Sequence, residues 1–144
     1  MSSAATHRLY SLEILRLATS LPYNDMLEKP QGSATCRSPV CGSEMTVDVT
    51  LDDAAHVSEI AIRAKACALG QASASVLRSN ALGQDATQVR KVRDNLKAAL
   101  QQGNGDLDWA ELEPFRYASD FPARHGAIML PFDTLIAALE TAGR

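Results

Sequence analysis

The chain has 144 residues, of which 46% are hydrophobic and 5% aromatic, with 14 basic and 17 acidic side chains and a formal net charge of −3. That length and apolar content suffice for one domain with a real core and argue against a disordered chain. The slightly acidic balance argues against a general nucleic-acid or membrane-surface binder, both of which need a basic field, and the shortage of aromatic rings argues against a base-stacking platform.

Three cysteines are present, Cys36, Cys41 and Cys67. An odd, low count without a signal-peptide pattern or a long apolar run points to a reducing cytoplasm, with no disulfide scaffold and no membrane partner.

In chain order, residues 1–5 read as a frayed start. From Thr6 to Leu21, Leu9, Leu12, Ile14, Leu15 and Leu17 recur mainly at three- and four-residue steps, which predicts one amphipathic helix ended by Pro22. Tyr23 to Gly32 reads as a loop. Ser33 to Arg37 is a short strand candidate, and 38–43 (Ser-Pro-Val-Cys-Gly-Ser) is a turn. Met45 to Leu51 alternates apolar and polar residues and predicts a strand. Asp52 to Ala55 is a hairpin turn into a further strand with Val57, Ile60 and Ile62. An antiparallel meander of two or three strands results.

From Ala72 to Ala81 the spacing is helical, with Gly83 as the stop. Asp85 is a candidate cap for a helix carrying Val89, Val92, Leu96, Ala99 and Leu100, which ends at the glycines 103 and 105. Asp108 to Glu113 predicts one helical turn with Trp109 and Leu112 inward. Asp120 is a candidate cap for a last helix reaching Ala142, disturbed at Pro131. No repeats or linkers interrupt the chain, so residues 1–144 read as a single α+β domain.

Cys67 falls where a strand gives way to a helix. A helix start offers free N–H groups and the positive end of the dipole, which favour a thiolate, both nucleophile and metal ligand. The Ala, Gly and Ser residues that follow predict close approach by a partner or ligand. Cys41 sits in a Pro-x-Cys-Gly turn, and two strands of a meander can return it to the same end as Cys67. Such a pair is half of a soft-metal site; equally, both can be small buried hydrophobes.

Three motifs in order sharpen this reading. Residues 38–43 resemble Asn-Pro-x-Cys-Gly-Asp. Lys65-Ala66-Cys67 with Ala72-Ser73-Ala74-Ser75 resembles Gly-x-Gly-Cys-x-x-Ser-x-Ala-Ser. Phe121-Pro122-Ala123-Arg124 resembles the Phe-Pro-Ala-Arg that precedes a final helix. On these motifs the chain resembles the U-type iron–sulfur cluster scaffolds, the IscU/NifU N-terminal-like and SufU-like proteins, over nearly its whole length. The resemblance implies an α+β fold, a small three-stranded antiparallel sheet packed against several helices. It also implies a site of three cysteines and an Asp for zinc or a transient Fe–S cluster, with Cys41 and Cys67 as the first two thiols. The implied partners are a cysteine desulfurase and Fe–S acceptor proteins, met as a monomer or weak dimer.

The chain departs from that pattern at the ligands. Ala127 stands where the third cysteine is expected, Ser43 where the Asp is, and Ala64 and Ala66 where glycines precede the second cysteine. Cys36, His125 and Glu44 are the candidates to complete the shell, although residues two apart at a helix start diverge, so His125 need not reach where Ala127 points. Arg124 is a candidate for lowering a thiol pKa or meeting an acidic partner, and 90–93 (Arg-Lys-Val-Arg) reads as a wet helix face.

The leading expectation is therefore an iron–sulfur assembly scaffold or sulfur and metal carrier, without turnover of its own. A degenerate member that binds no metal and acts as an interaction or regulatory module is the first alternative. A thiol enzyme using Cys67 with His125 is the second.

Overall fold

The computed structural model describes residues 3–39 and 42–143. Helices α1 (Ser3–Leu9) and α2 (Leu12–Ser20) precede an antiparallel sheet of β1 (Gly32–Arg37), β2 (Glu44–Leu51) and β3 (Val57–Lys65) in the order β1-β2-β3. Helices α3 (Ala68–Asn80) and α4 (Ala86–Gln102), a 3-10 helix (Ala110–Asp120) and α5 (Pro122–Ala142) follow. This is the α+β plan, with its three-stranded sheet.

Alternation decides which sheet face is covered. Met45, Val47 and Val49 of β2 and Ile60 and Ile62 of β3 share one buried face. Helix α5 lies across that face over β1 and β2, and contacts α3 and α4 on its other sides. Gly32 is where α5 comes closest: a Cβ there would stand 2.3 Å from the Ala138 carbonyl oxygen, so only glycine fits.

Four local readings are corrected. The first helix is two, because Ser11 is extended (φ −61°, ψ 163°) and its hydroxyl accepts the Ile14 N–H at 3.3 Å, capping α2 afresh. Helix α1 takes in residues 3–5 of the expected frayed start, and residues 1 and 2 lie outside the described residues. Helix α3 begins at Ala68, directly after Cys67, several residues earlier than its periodicity implied. Asp120 does not cap α5: it ends the 3-10 helix, Phe121 is the cap without a side-chain bond, and Pro122 opens the helix. Asp85 does cap α4, in a reciprocal box with Gln88.

Pro131 lies inside α5 without ending it. It has no N–H to offer the Ala127 carbonyl, and its ring crowds that turn. One residue on, the buried Ser73 hydroxyl of α3 donates to the Ile128 carbonyl at 2.6 Å and fastens this part of α5 to α3. Ser75, two positions on, donates to the Leu17 carbonyl of α2. The small residues of α3 thus admit two helices of the same chain, α2 and α5, rather than a partner or ligand. Among the described residues no helix is long and apolar enough to cross a membrane.

Candidate functional site

Three segments meet at one end of the sheet. The connection from β1 to β2 closes with the Ser38 N–H donating to the Ser43 carbonyl at 2.8 Å and the Gly42 N–H to the Ser38 carbonyl at 2.9 Å. Gly42 takes φ +71°, which glycine adopts without strain. Ser38 and Ser43 are both buried. A Cβ on Gly126 would stand 3.0 Å from the Ser38 hydroxyl oxygen, so this hairpin base rests on the first turn of α5. A Cβ on Gly70 would come within 2.9 Å of the Ala66 Cβ, 3.4 Å of the Ala127 carbonyl oxygen and 3.6 Å of the Met45 Cε. The starts of α3, α5 and β2 are thereby packed together, and only small residues permit that approach.

Cys67 is the N-terminal boundary residue of α3, extended (φ −68°, ψ 172°), exposed, and without a side-chain bond to the helix N–H groups. Its sulfur is therefore available at the positive end of the helix dipole. Cys41 and its neighbour Val40 lie outside the described residues.

The remaining candidates are placed as follows. Cys36 sits in β1 opposite Met45, half-buried against the core. Ala127 is buried, and its methyl side chain supplies no donor atom. His125, on the first turn of α5, holds Nε2 2.6 Å from the Ala118 carbonyl oxygen, tying the helix start to the 3-10 segment. Glu44 accepts from the Arg37 guanidinium at 2.8 Å across the β1–β2 pair. That bond and charge, with a smaller effect of Lys65 opposite on β3, hold the Glu44 carboxyl below its usual range. Arg124 is exposed and has no ion pair among the described residues.

Among the described residues no three His, Cys, Asp or Glu side chains are gathered as a metal ion would need. Cys67 is free to coordinate, whereas Glu44 and His125 each have another bond. A thiolate pair alone would leave two positions of a tetrahedral ion open. The basic run of α4 is more than a wet face: Arg90 reaches Glu140 at 3.3 Å and Arg93 reaches Asp133 at 3.0 Å, joining α4 to α5.

One group near this end was not legible in the sequence. Asp48 lies on the sheet face opposite the helices, yet its side chain is only 4% exposed. It accepts from Arg63 at 2.9 and 3.2 Å, Ser33 at 2.7 Å and the Leu27 N–H at 3.2 Å. Burial alone would raise its pKa; the bonds from Arg63, Ser33 and Leu27 outweigh burial and leave the carboxyl below its usual range. Arg63 also donates to the Asp25 carbonyl at 2.8 Å. This hub fixes the loop between α2 and β1. An acidic residue at an outward strand position reads as solvated, so only the folded loop reveals it.

Comparison with known proteins gives three findings. The family model described as NifU-like N terminal domain matches residues 10–110. No curated protein sequence matches. Among solved structures, a nitrogen-fixing NifU-like protein (N-terminal) from Brucella abortus is 31% identical, with TM-score 0.84 over 96% of this chain and 97% of that one. An iron–sulfur cluster assembly scaffold protein for the SUF system, described as putative and from Fervidobacterium islandicum AW-1, is 20% identical (TM-score 0.79, 93% of this chain, 98% of that one). A hypothetical protein at 18% identity has TM-score 0.78 over 93% and 98%. The last two show the shared fold.

Proposed function

From the premise that the chain belongs to the NifU-like N-terminal domain family, we propose that it is an iron–sulfur cluster assembly scaffold or sulfur carrier that receives its cargo on Cys67 and Cys41. The observation that carries this reading is Cys67 itself. It is exposed, uncommitted, and seated where α3 begins against the starts of β2 and α5. Iron, zinc or a nascent cluster is the cargo, not a resident cofactor. For sulfur delivery, the Cys67 thiolate attacks the terminal sulfur of a donor persulfide. One S–S bond forms as another breaks, the persulfide moves to Cys67, and the donor cysteine leaves as thiolate. A cysteine desulfurase is the proposed donor and Fe–S proteins the acceptors.

Cys36, His125 and Glu44 remain the candidates to complete a metal shell. For Glu44 this means leaving Arg37. For His125 it means using Nδ1 or releasing Ala118. A second reading, a family member that has become a metal-free interaction module, is favoured by one observation: the buried Ala127 has no donor atom where the family pattern expects a thiol.

Anaerobic purification with metal counting, followed by reconstitution with iron and sulfide, separates the two. About one metal per chain or a cluster chromophore, lost in Cys67→Ala and in Cys41→Ala, is the expected result. Wild-type protein that stays metal-free and forms no cluster refutes the scaffold reading and leaves the interaction module.

A further inference from the structure

Asparagine is among the chemically labile residues, and the chain has four, Asn24, Asn80, Asn95 and Asn104. Asn80 is held by its side-chain amide, which donates to the Val76 carbonyl at 2.8 Å and to Glu111 at 2.9 Å. Asn95 lies inside α4 and donates to Asp108 at 2.9 Å. Asn24 precedes Asp25, whose side chain crowds any approach of the backbone to the asparagine amide. Asn104 differs from all three. It is exposed, its side chain has no partner among the described residues, and Gly105 follows it.

The peptide unit joining Asn104 to Gly105 sits between two anchors. On one side the Gly103 N–H donates to the Ala99 carbonyl at 2.8 Å and closes α4. On the other the Arg116 guanidinium donates to the Gly105 carbonyl. Between them the Gly105 N–H has no acceptor among the described residues. Gly105 takes φ +100°, and a Cβ there would meet nothing within 4 Å. The amide nitrogen is therefore uncommitted, lies next to an unbonded side-chain amide, and has open space around it. Glycine adds no side chain to obstruct the closure of a ring.

We infer that Asn104 is a modification site, at which the chain deamidates without an enzyme. Hydroxide takes the proton of the Gly105 amide, and the nitrogen attacks Cγ of Asn104. The N–Cγ bond forms and the Cγ–Nδ2 bond breaks. Nδ2 leaves as ammonia, taking its proton from water and so returning the hydroxide. The product is a cyclic succinimide. Water then opens it at Cγ, giving aspartate, or at the main-chain carbonyl carbon, giving isoaspartate, in which the chain runs through the former side chain. Either product carries a carboxylate that Asn104 lacks, so the formal net charge moves from −3 to −4. Gln102 is an internal control. It too precedes a glycine, but the Gly103 N–H is spent on Ala99 and cannot attack. Nothing in this chemistry involves Cys67.

The test follows the full chain, folded in mildly alkaline buffer at physiological temperature, by ion exchange and by peptide mass spectrometry. A species more acidic by one charge is expected, absent in Asn104→Gln. The peptide map is expected to place the change at Asn104, with isoaspartate among the products and Asn80, Asn95 and Gln102 intact. A loop that opens at almost no cost gives no protection, so the folded rate at Asn104 is expected within about tenfold of the rate in urea. No acidic species, an acidic species that persists in Asn104→Gln, a change mapped to another residue, or protection by folding beyond about tenfold overturns the assignment. The map of the wild type does not depend on whether the variant folds.

Discussion

Replacing Asp48 by alanine tests whether the hub fixes the fold around the loop. The change leaves the Arg63 guanidinium, whose side chain is 24% exposed, without its carboxylate, and strands the Leu27 N–H and the Ser33 hydroxyl. Breaking a buried pair by removing one partner costs about 3–5 kcal/mol. Water can reach part of Arg63, so the lower end, about 3 kcal/mol, is expected, or a fall in Tm on the order of 10 °C for a chain of this size. Urea unfolding followed by circular dichroism at neutral pH measures it, with an unchanged slope showing that stability rather than compactness has moved. In Asp48→Ala/Arg63→Met the orphaned charge is gone, and the double variant should lose about 1–2 kcal/mol less than the two single losses added. The pH dependence has a definite sign. The folded Asp48 carboxyl titrates below its ordinary value, so its contribution is complete above the unfolded value of about 4 and is lost as pH falls through the folded pKa. Wild type should therefore lose stability below about pH 4 more steeply than Asp48→Ala. A cost under about 1 kcal/mol with additive double variants would refute the account of Asp48 as a buried, paired hub.

Two further outcomes follow from the packing between α3 and α5. Ser73→Ala removes the bond that fastens α3 to the Ile128 carbonyl inside α5, and should cost about 0.5–1.5 kcal/mol in the same urea assay; a change within about 0.2 kcal/mol would mean that this bond does not hold the two helices together. Ala127→Cys places a thiol at the start of α5, beside the start of α3, and should tighten zinc retention against a chelator by more than the roughly tenfold effect of an outer-shell change; an unchanged affinity would show that a thiol at Ala127 does not converge with Cys67.

The sheet and most helices were legible because their signals are local. Met45 to Leu51 alternates strictly, Asp85 sits three residues before Gln88, and Gly103 carries the left-handed conformation that ends α4. What misled was local too, but weaker than what competed with it. The leucines of 9–17 keep a helical spacing through a break that one serine hydroxyl enforces at Ser11. The small residues of α3 signalled close approach correctly and its partner wrongly, because the surfaces that approach, α2 and α5, are remote in sequence. The Asp48–Arg63 pair had no signature at all, since each residue occupies an ordinary outward strand position and only the returning loop buries it.

The same distinction governs the candidate site. Its motifs named Cys67, and the fold leaves that thiol exposed and unbonded. The substitute ligands were chosen by nearness in sequence, and nearness does not say what a side chain is already bonded to. Glu44 is bound by Arg37, and His125 Nε2 meets the Ala118 carbonyl. Each would have to give up or share that bond to coordinate an ion. On the proposed reading, two thiolates would then hold cargo with open positions and reluctant neighbours. Such a site favours handing cargo on over keeping it.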